Sequence, residues 1–164
     1  MEQMSFPYKC VLVACSVNTA RSPMAEGFLR FFFEQNNLEV EVRSCGVASN
    51  ARDGMLISMD AKLAMQEEGI ELPENSVSLD IKKHPELLND VDLILTLTNQ
   101  HKREIKCLNK TNSKQIMTLA EFADEEGDIE DPSMKGLEGF RIARDKIKEC
   151  IIKGLKKFGL CCEN

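Results

Sequence analysis

The sequence contains no tryptophan, one tyrosine and two histidines among its 164 residues, and it has no apolar run near the length that spans a bilayer. Its first residues, MEQMSFPYK, have neither the basic start nor the apolar centre of a secretory signal. We therefore expect a cytoplasmic protein that has no membrane partner. The formal net charge of −6 disfavours nucleic acid as a partner, because phosphate backbones attract basic surfaces.

The chain also lacks any C-x-x-C pair, although it contains seven cysteines. The cysteines and the two histidines, His84 and His101, are not spaced as a set of zinc ligands. We expect both histidines at the surface near helix ends. We expect reduced thiols that are mostly buried as small apolar side chains, and no metal cofactor. The cysteines are Cys10, Cys15, Cys45, Cys107, Cys150, Cys161 and Cys162.

Apolar segments alternate with helical patterns along the chain, which predicts a parallel sheet with helices on both faces. No repeat, low-complexity tract or linker interrupts the pattern, so we expect a single domain over residues 1–164. The segment 38–46 alternates apolar and charged residues, which is typical of a strand nearer the sheet edge. The predicted strands are 9–15, 38–46, 92–98 and 114–119, and the predicted helices are 22–35, 58–69, 84–91, 100–108 and 136–158.

The segment CSVNTARS, residues 15–22, lies between the first predicted strand and helix. Parallel sheets bind ligands beyond the carboxyl ends of their strands, where Cys15 lies. A tight turn into a helix directs backbone N–H groups inward, and Arg21 adds a fork that suits tetrahedral oxyanions. Ser22 can cap the helix and reach the sulfur. The predicted residues that bind phosphate or another oxyanion are Ser16, Val17, Asn18, Thr19, Ala20, Arg21 and Ser22.

The same positive field favours an ionised thiolate at Cys15, positioned for in-line attack on phosphorus. Nucleophile and anion receptor would thus share one loop, and the reaction would pass through a phosphocysteine. The loop has neither the glycines of a dinucleotide fingerprint nor the Gly-Lys-Ser/Thr of a Walker loop, so we expect no nucleotide cofactor.

The stretch VLVACSVNTARSPMAEG resembles the pattern V-C-x-G-N-x-C-R-S-P-x-A-E of the low-molecular-weight protein tyrosine phosphatase family. Three more segments resemble later landmarks of that family in the same order: RSCGVASNARDGM, DLILTLTNQHKREI and DIEDPSMKG. The resemblance covers roughly residues 9–158 and implies a flavodoxin-like three-layer sandwich with a four-stranded parallel sheet. It also implies that phosphorylated proteins are the substrates, Cys15 the nucleophile, Arg21 a phosphate ligand and Asp131 the general acid.

The acidic run from Asp124 to Asp131 would by composition alone be a solvated loop. A proton donor held over the pocket is needed for leaving-group departure, and this loop can supply one. Only Asp131 is followed by proline, which restricts it to extended backbone and can fix its direction. Asp128 is the alternative donor.

Two positions in the loop depart from the family pattern. Val17 stands where the family usually has glycine, and a β-branched residue would be strained there if the position needs positive φ. Ala20 replaces a second cysteine that can form a disulfide with an oxidised nucleophile. We therefore predict that Cys15 lacks this protection; a disulfide to Cys10 or Cys45 would contradict the prediction.

Thr19 stands where tyrosine phosphatases of the family have a bulky aliphatic residue, whereas the protein arginine phosphatase branch carries threonine. The pocket walls also lack aromatic residues, both in residues 47–55 and at Ser133-Met134. A phosphotyrosine ring normally packs between aromatic or large apolar side chains. Both features favour phosphoarginine over phosphotyrosine, although Met55, Leu56 or Met134 can still line a wall.

Two alternatives come from other functional classes. A thioredoxin-linked arsenate reductase shares the anion loop but needs two further cysteines after the third strand, and only Cys107 lies between Asp80 and Thr118. The second alternative is a regulator that binds phosphate in a weakened pocket. Val17 favours it, whereas the joint retention of Cys15, Arg21, Ser22 and Asp131 opposes it.

Overall fold

A computed structural model of the chain describes residues 6–108, 111 and 113–162. Its sheet contains four strands: β1 (Cys10–Cys15), β2 (Glu41–Gly46), β3 (Leu93–Thr96) and β4 (Gln115–Thr118). Their order is β2-β1-β3-β4, and every neighbouring pair is parallel. This is the strand order of flavodoxin-like folds, so the predicted fold class is confirmed. The prediction that the second strand lies at an edge is also confirmed.

Within the described residues, five α-helices accompany the sheet: α1 (Arg21–Gln35), α2 (Met59–Gln66), α3 (Asn99–Lys106), α4 (Leu119–Phe122) and α5 (Gly136–Lys156). The predicted helix at 84–91 is a single 3₁₀ turn, Pro85–Leu88. Helix α4 was not predicted, because four residues are too few to show a helical period. It begins with a capping box, in which Thr118 and Glu121 each accept a hydrogen bond from the other's backbone N–H.

The two faces of the sheet carry separate apolar layers, since successive residues of a strand point to opposite sides. Val11, Val13 and Cys15 face the larger layer, which contains residues of α1, α2 and α5. Leu12 and Ala14 face the smaller layer, which includes residues of the 3₁₀ turn and α3. Strand β1 is therefore buried on both faces, and its carboxyl end is a rigid platform for the loop that follows.

A helix that crosses a bilayer needs both sufficient length and an apolar character. None of the helices in the described ranges is both long enough and apolar enough to do so.

Candidate active site

Cys15 is the last residue of β1, and its side chain is almost completely buried. Its Sγ lies 2.9 Å from Ser22 Oγ, and the backbone N–H of Asn18 donates to Sγ at 3.3 Å. The loop therefore folds back over the sulfur. The N-terminus of α1 begins in the same place, and its partial positive charge favours an anion there.

Asn18 fixes the shape of the loop. Its backbone is left-handed, with φ of 63°, a conformation that asparagine tolerates better than most residues. Its Nδ2 donates to Ser22 Oγ at 2.7 Å and to Ser44 Oγ at 3.0 Å, and its Oδ1 accepts from the N–H of Leu79 at 3.0 Å. One buried amide thus joins the loop, α1, β2 and the segment before the 3₁₀ turn.

Val17 does not adopt positive φ; the residue of the loop with that conformation is Asn18. The strain considered from the sequence is therefore absent. The backbone of the cysteine loop instead passes close to Gly46, which pairs with Cys15 in the sheet. A Cβ at position 46 would lie 2.8 Å from the carbonyl oxygen of Ser16 and 3.0 Å from Val17 Cα, so a glycine is needed there to seat the loop.

The prediction that Ser22 caps α1 is wrong. The helix begins one residue earlier, at Arg21, with Ala20 as N-cap residue and no side-chain cap. The Ser22 hydroxyl is engaged by Cys15 and Asn18 instead. Pro23 stays within the first turn, where a missing backbone N–H removes no helical hydrogen bond.

Arg21 is buried and links the loop to a distant segment. Its Nη1 donates to the carbonyl oxygen of Ile129 at 2.9 Å, and its Nη2 donates to Ser16 Oγ at 3.3 Å. Ile129 lies two residues before Asp131, and its own N–H donates to the carbonyl of Leu97 after β3. The guanidinium therefore connects the cysteine loop to the acidic loop that precedes α5.

The two candidate acids occupy different environments. Asp128 Oδ1 accepts from the backbone N–H of Asn99 at 2.8 Å and from its Nδ2 at 3.2 Å, so this carboxylate anchors the loop to α3. Asp131 is exposed, and its Oδ1 accepts from the N–H of Ser133 at 3.0 Å. Burial raises the pKa of Asp131, but the bonds from Ser133 and the nearby Arg21 and His101 outweigh it and hold that pKa below its usual range.

His101 contradicts the prediction of a surface position, because only 2% of it is exposed. It lies in the first turn of α3, and its Nε2 is 2.7 Å from Ser16 Oγ. Burial and the charge of Arg21 lower the pKa of His101 to about 4. His84 agrees better with prediction, since it is partly exposed at the start of the 3₁₀ turn. One feature of the sequence indicated burial: His101 and Ile105 are four residues apart, so they lie on the same face of a helix.

The residues considered as pocket walls are open to solvent. Met55 is 42% exposed, Leu56 is 74% exposed and Met134 is fully exposed. Thr19 is partly exposed, and its carbonyl oxygen accepts from the N–H of Ser58 at 2.8 Å, which joins the loop to the start of α2. These three apolar side chains are therefore accessible to solvent around the loop.

All seven cysteines are free, and four of them are buried, as predicted. Cys45 pairs with Ala14 in the sheet but faces the smaller apolar layer, whereas Cys15 faces the larger one. Cys10 begins the strand that Cys15 ends, about 16 Å away at the usual rise per residue. Neither thiol is placed to form a disulfide with Cys15.

We therefore expect prolonged exposure to hydrogen peroxide to inactivate the protein irreversibly, because no neighbouring thiol can trap the sulfenic acid of Cys15. Activity would be measured before and after reduction with dithiothreitol, and the Cys15 peptide would be weighed by mass spectrometry. The matched variant is Ala20→Cys, which should recover activity. Full recovery of the unaltered protein, or a Cys15–Cys45 disulfide, would contradict the prediction.

Within residues 6–108, 111 and 113–162, no group of three histidine, cysteine or acidic side chains is arranged to hold an ion.

The fold and the cysteine loop together define the class of this protein, a phosphatase that uses a cysteine thiol. Over residues 10–159 the sequence matches the family described as low molecular weight phosphotyrosine protein phosphatase. The chain belongs to this family.

Individual relatives carry two different activities in their names. A protein-arginine-phosphatase of Bacillus subtilis is 32% identical over 151 residues, which are 90% of this chain and 97% of that protein. A probable low molecular weight protein-tyrosine-phosphatase, EpsP of Ralstonia solanacearum, is 33% identical over 135 residues, 82% of this chain and 86% of that protein.

Among solved structures, a mutant of the YwlE arginine phosphatase with a phosphorylated active-site serine superimposes with a TM-score of 0.81. It is 30% identical, and the match covers 92% of this chain and 95% of that one.

Proposed function

We propose that Cys15 attacks the phosphorus atom of a phosphorylated protein, that residues 16–22 hold the phosphoryl group with Arg21 as its main cation, and that Asp131 is the general acid. The observation that carries the proposal is the pair of contacts to the sulfur, from Ser22 Oγ at 2.9 Å and Asn18 N at 3.3 Å. Both groups lie where they can donate to an attacking sulfur, and the N-terminus of α1 adds partial positive charge beside it.

The reaction has two steps. The thiolate of Cys15 forms a bond to phosphorus while the bond to the leaving group breaks, and Asp131 gives its proton to the departing atom. Water then attacks the phosphocysteine, the carboxylate of Asp131 takes a proton from that water, and the thiolate leaves as inorganic phosphate forms.

The low pKa of Asp131 in the free protein is compatible with an acid role. A phosphoryl group in the loop brings negative charge close to the carboxylate and offsets Arg21, and a nearby like charge raises the pKa of an acid. Substrate binding would therefore help protonate Asp131. Asp128 is less suited, because the N–H and Nδ2 of Asn99 hold its carboxylate.

The substrate class we propose is phosphoarginine in proteins. Thr19 leaves more room than a large aliphatic side chain, and its hydroxyl can orient a guanidinium. Residues 47–55 and Ser133-Met134 contain no aromatic side chain of the kind that a phosphotyrosine ring normally packs against. The name of the Bacillus subtilis relative adds support.

The test compares kcat/KM on peptides that carry either phosphoarginine or phosphotyrosine, with phosphate measured at neutral pH because acid cleaves the P–N bond. We expect a preference for phosphoarginine and a shift of at least about tenfold towards phosphotyrosine in Thr19→Ile. Thr19→Val is the matched variant, since it keeps the volume and removes the hydroxyl. A preference for phosphotyrosine, or an unchanged ratio in Thr19→Ile, would refute the assignment.

The proposal also covers the domain organisation and the cellular location of the enzyme. A single domain over residues 1–164, with a core at about 9–158, would act in the cytoplasm, where seven free thiols stay reduced. Finding the native protein in a soluble cytoplasmic fraction, with no disulfide by mass spectrometry, is the expected result.

A further inference from the structure

His101 combines deep burial with an unsatisfied polar atom. Its side chain is 2% exposed, and its Nδ1 is the one buried side-chain nitrogen or oxygen among the described residues that has no hydrogen-bond partner. An unpaired buried polar atom costs free energy, so an apolar residue would suit this place better if packing were its only role. The opposite ring nitrogen, Nε2, is the atom that makes a contact, with Ser16 Oγ at 2.7 Å.

The contact continues to Arg21. Nη2 of Arg21 donates to the same Ser16 Oγ at 3.3 Å, and because a guanidinium only donates, the serine oxygen is the acceptor. The hydroxyl proton of Ser16 is then free to point at Nε2 of His101. When the hydroxyl donates to Nε2, the chain of hydrogen bonds runs in one direction, from Arg21 through Ser16 to His101.

This direction requires a neutral imidazole that accepts at Nε2. The charged groups that face the ring are Arg21 on α1, and Asp128 and Asp131 on the loop before α5. Burial and Arg21 outweigh the two carboxylates and lower the pKa of His101, so the ring is uncharged at neutral pH.

The backbone that carries the ring is itself fixed. The N–H of His101 donates to Oγ1 of Thr98, the N-cap residue of α3, at 3.1 Å. Asp128 accepts from the first N–H of the helix, and Ile105, one turn further on, is fully buried. The imidazole therefore projects from a rigid helix end towards the cysteine loop.

We propose that His101 is a positioning residue: through the hydroxyl of Ser16 it fixes the direction of the Arg21 guanidinium for the transferred phosphoryl group. The inference rests on the role proposed for Arg21. Two contacts set the plane of the guanidinium, Nη1 to the carbonyl of Ile129 and Nη2 to Ser16. Loss of the second contact lets the plane turn about the first, and misaligned donors bind a tetrahedral oxyanion less well.

The experiment compares His101→Gln with His101→Asn. The amide of glutamine lies near the position of Nε2 and can contact Ser16, whereas the shorter asparagine reaches only the position of Nδ1. With p-nitrophenyl phosphate we expect kcat/KM to fall about tenfold or more in His101→Asn and by less than about threefold in His101→Gln. The inhibition constant of orthovanadate should rise in parallel with the loss. A purely structural role would affect both variants alike, since both lose the ring.

The Ser16→Ala background completes the test. If His101 acts through the serine, adding His101→Asn to the Ser16→Ala variant should lower kcat/KM by less than about a further twofold, because the effects of residues that act as a unit do not add. Ile105→Val is the matched control on the same helix; it should lower the melting temperature and leave the vanadate constant unchanged. If His101→Asn does not fold, the proposal still requires Ser16→Ala to lose activity while His101→Gln keeps it.

Equal losses in the two histidine variants, or a full effect of His101→Asn in the Ser16→Ala background, would overturn the inference. If instead Cys15→Ser keeps the turnover of the unaltered protein, the proposed function is refuted. The two failures are therefore distinguishable in one set of assays.

Discussion

Replacing Cys15 with serine should lower kcat by about 10⁴-fold or more, the scale seen when an enzyme loses its nucleophile. The contacts from Ser22 and Asn18 are kept by a serine, but an alcohol holds its proton far more tightly than a thiol and is a much weaker nucleophile without a base beside it. The loop itself should survive, since the Asn18 contacts to Ser44 and Leu79 do not involve the sulfur.

The measurement is phosphate release from p-nitrophenyl phosphate, together with binding of tungstate by calorimetry. Cys15→Ser should lose turnover and keep oxyanion binding. Cys107→Ser is the matched control, because Cys107 is exposed at the end of α3 and should be dispensable. Turnover within tenfold of the unaltered enzyme in Cys15→Ser would exclude the thiol as nucleophile.

The second large effect is expected for Asp131→Asn, with a fall in kcat/KM of about 10² to 10⁴-fold on a phosphoarginine peptide. Asparagine matches the shape of the carboxyl group but has no proton to give to the leaving nitrogen. The loss in kcat/KM should be much smaller with p-nitrophenyl phosphate, because nitrophenolate is a stable anion that leaves without protonation. The loss in kcat can appear with both substrates, because Asp131 also takes the proton from the water that hydrolyses the phosphocysteine. The dependence of kcat/KM on the leaving group identifies a general acid more clearly than the size of the loss alone.

Asp128→Asn is the comparison for this prediction. It weakens the bond to the N–H of Asn99 and should lower the melting temperature of the protein. Its effect on kcat/KM should be the same for both substrates. A larger and more leaving-group-dependent loss in Asp128→Asn than in Asp131→Asn would reverse the assignment of the acid.

The fold was accessible from sequence because the buried strands are continuous apolar runs and the helices have clear periods. The ends of the strands were less accessible. Residues 38–40 continue the pattern of β2 but lie outside the sheet, because β1 begins at Cys10, which pairs with Glu41. The length of a strand is set by its partner, and a local pattern does not contain that partner.

The contacts of the candidate site also differ in how far they could be predicted, because some are local in sequence and others are not. The contact between Cys15 and Ser22 arises within eight residues, so the spacing of the loop was enough to predict it. The contacts of Asn18 with the same two residues depend on its left-handed backbone and were not predicted. The contact between Ser16 and His101 joins positions 85 residues apart and depends on how α3 packs. A histidine in a polar helix gives little local signal, except its spacing of four residues from Ile105.

The division of roles between Val17 and Asn18 has a consequence for the evolution of this loop. Only Asn18 carries the left-handed backbone and the amide contacts, so saturation mutagenesis should find position 18 nearly intolerant of exchange. Position 17 should accept many residues, because its backbone imposes no such restriction. Replacement of a family glycine by valine would then be ordinary drift at a permissive site, with the signature motif held by its neighbour.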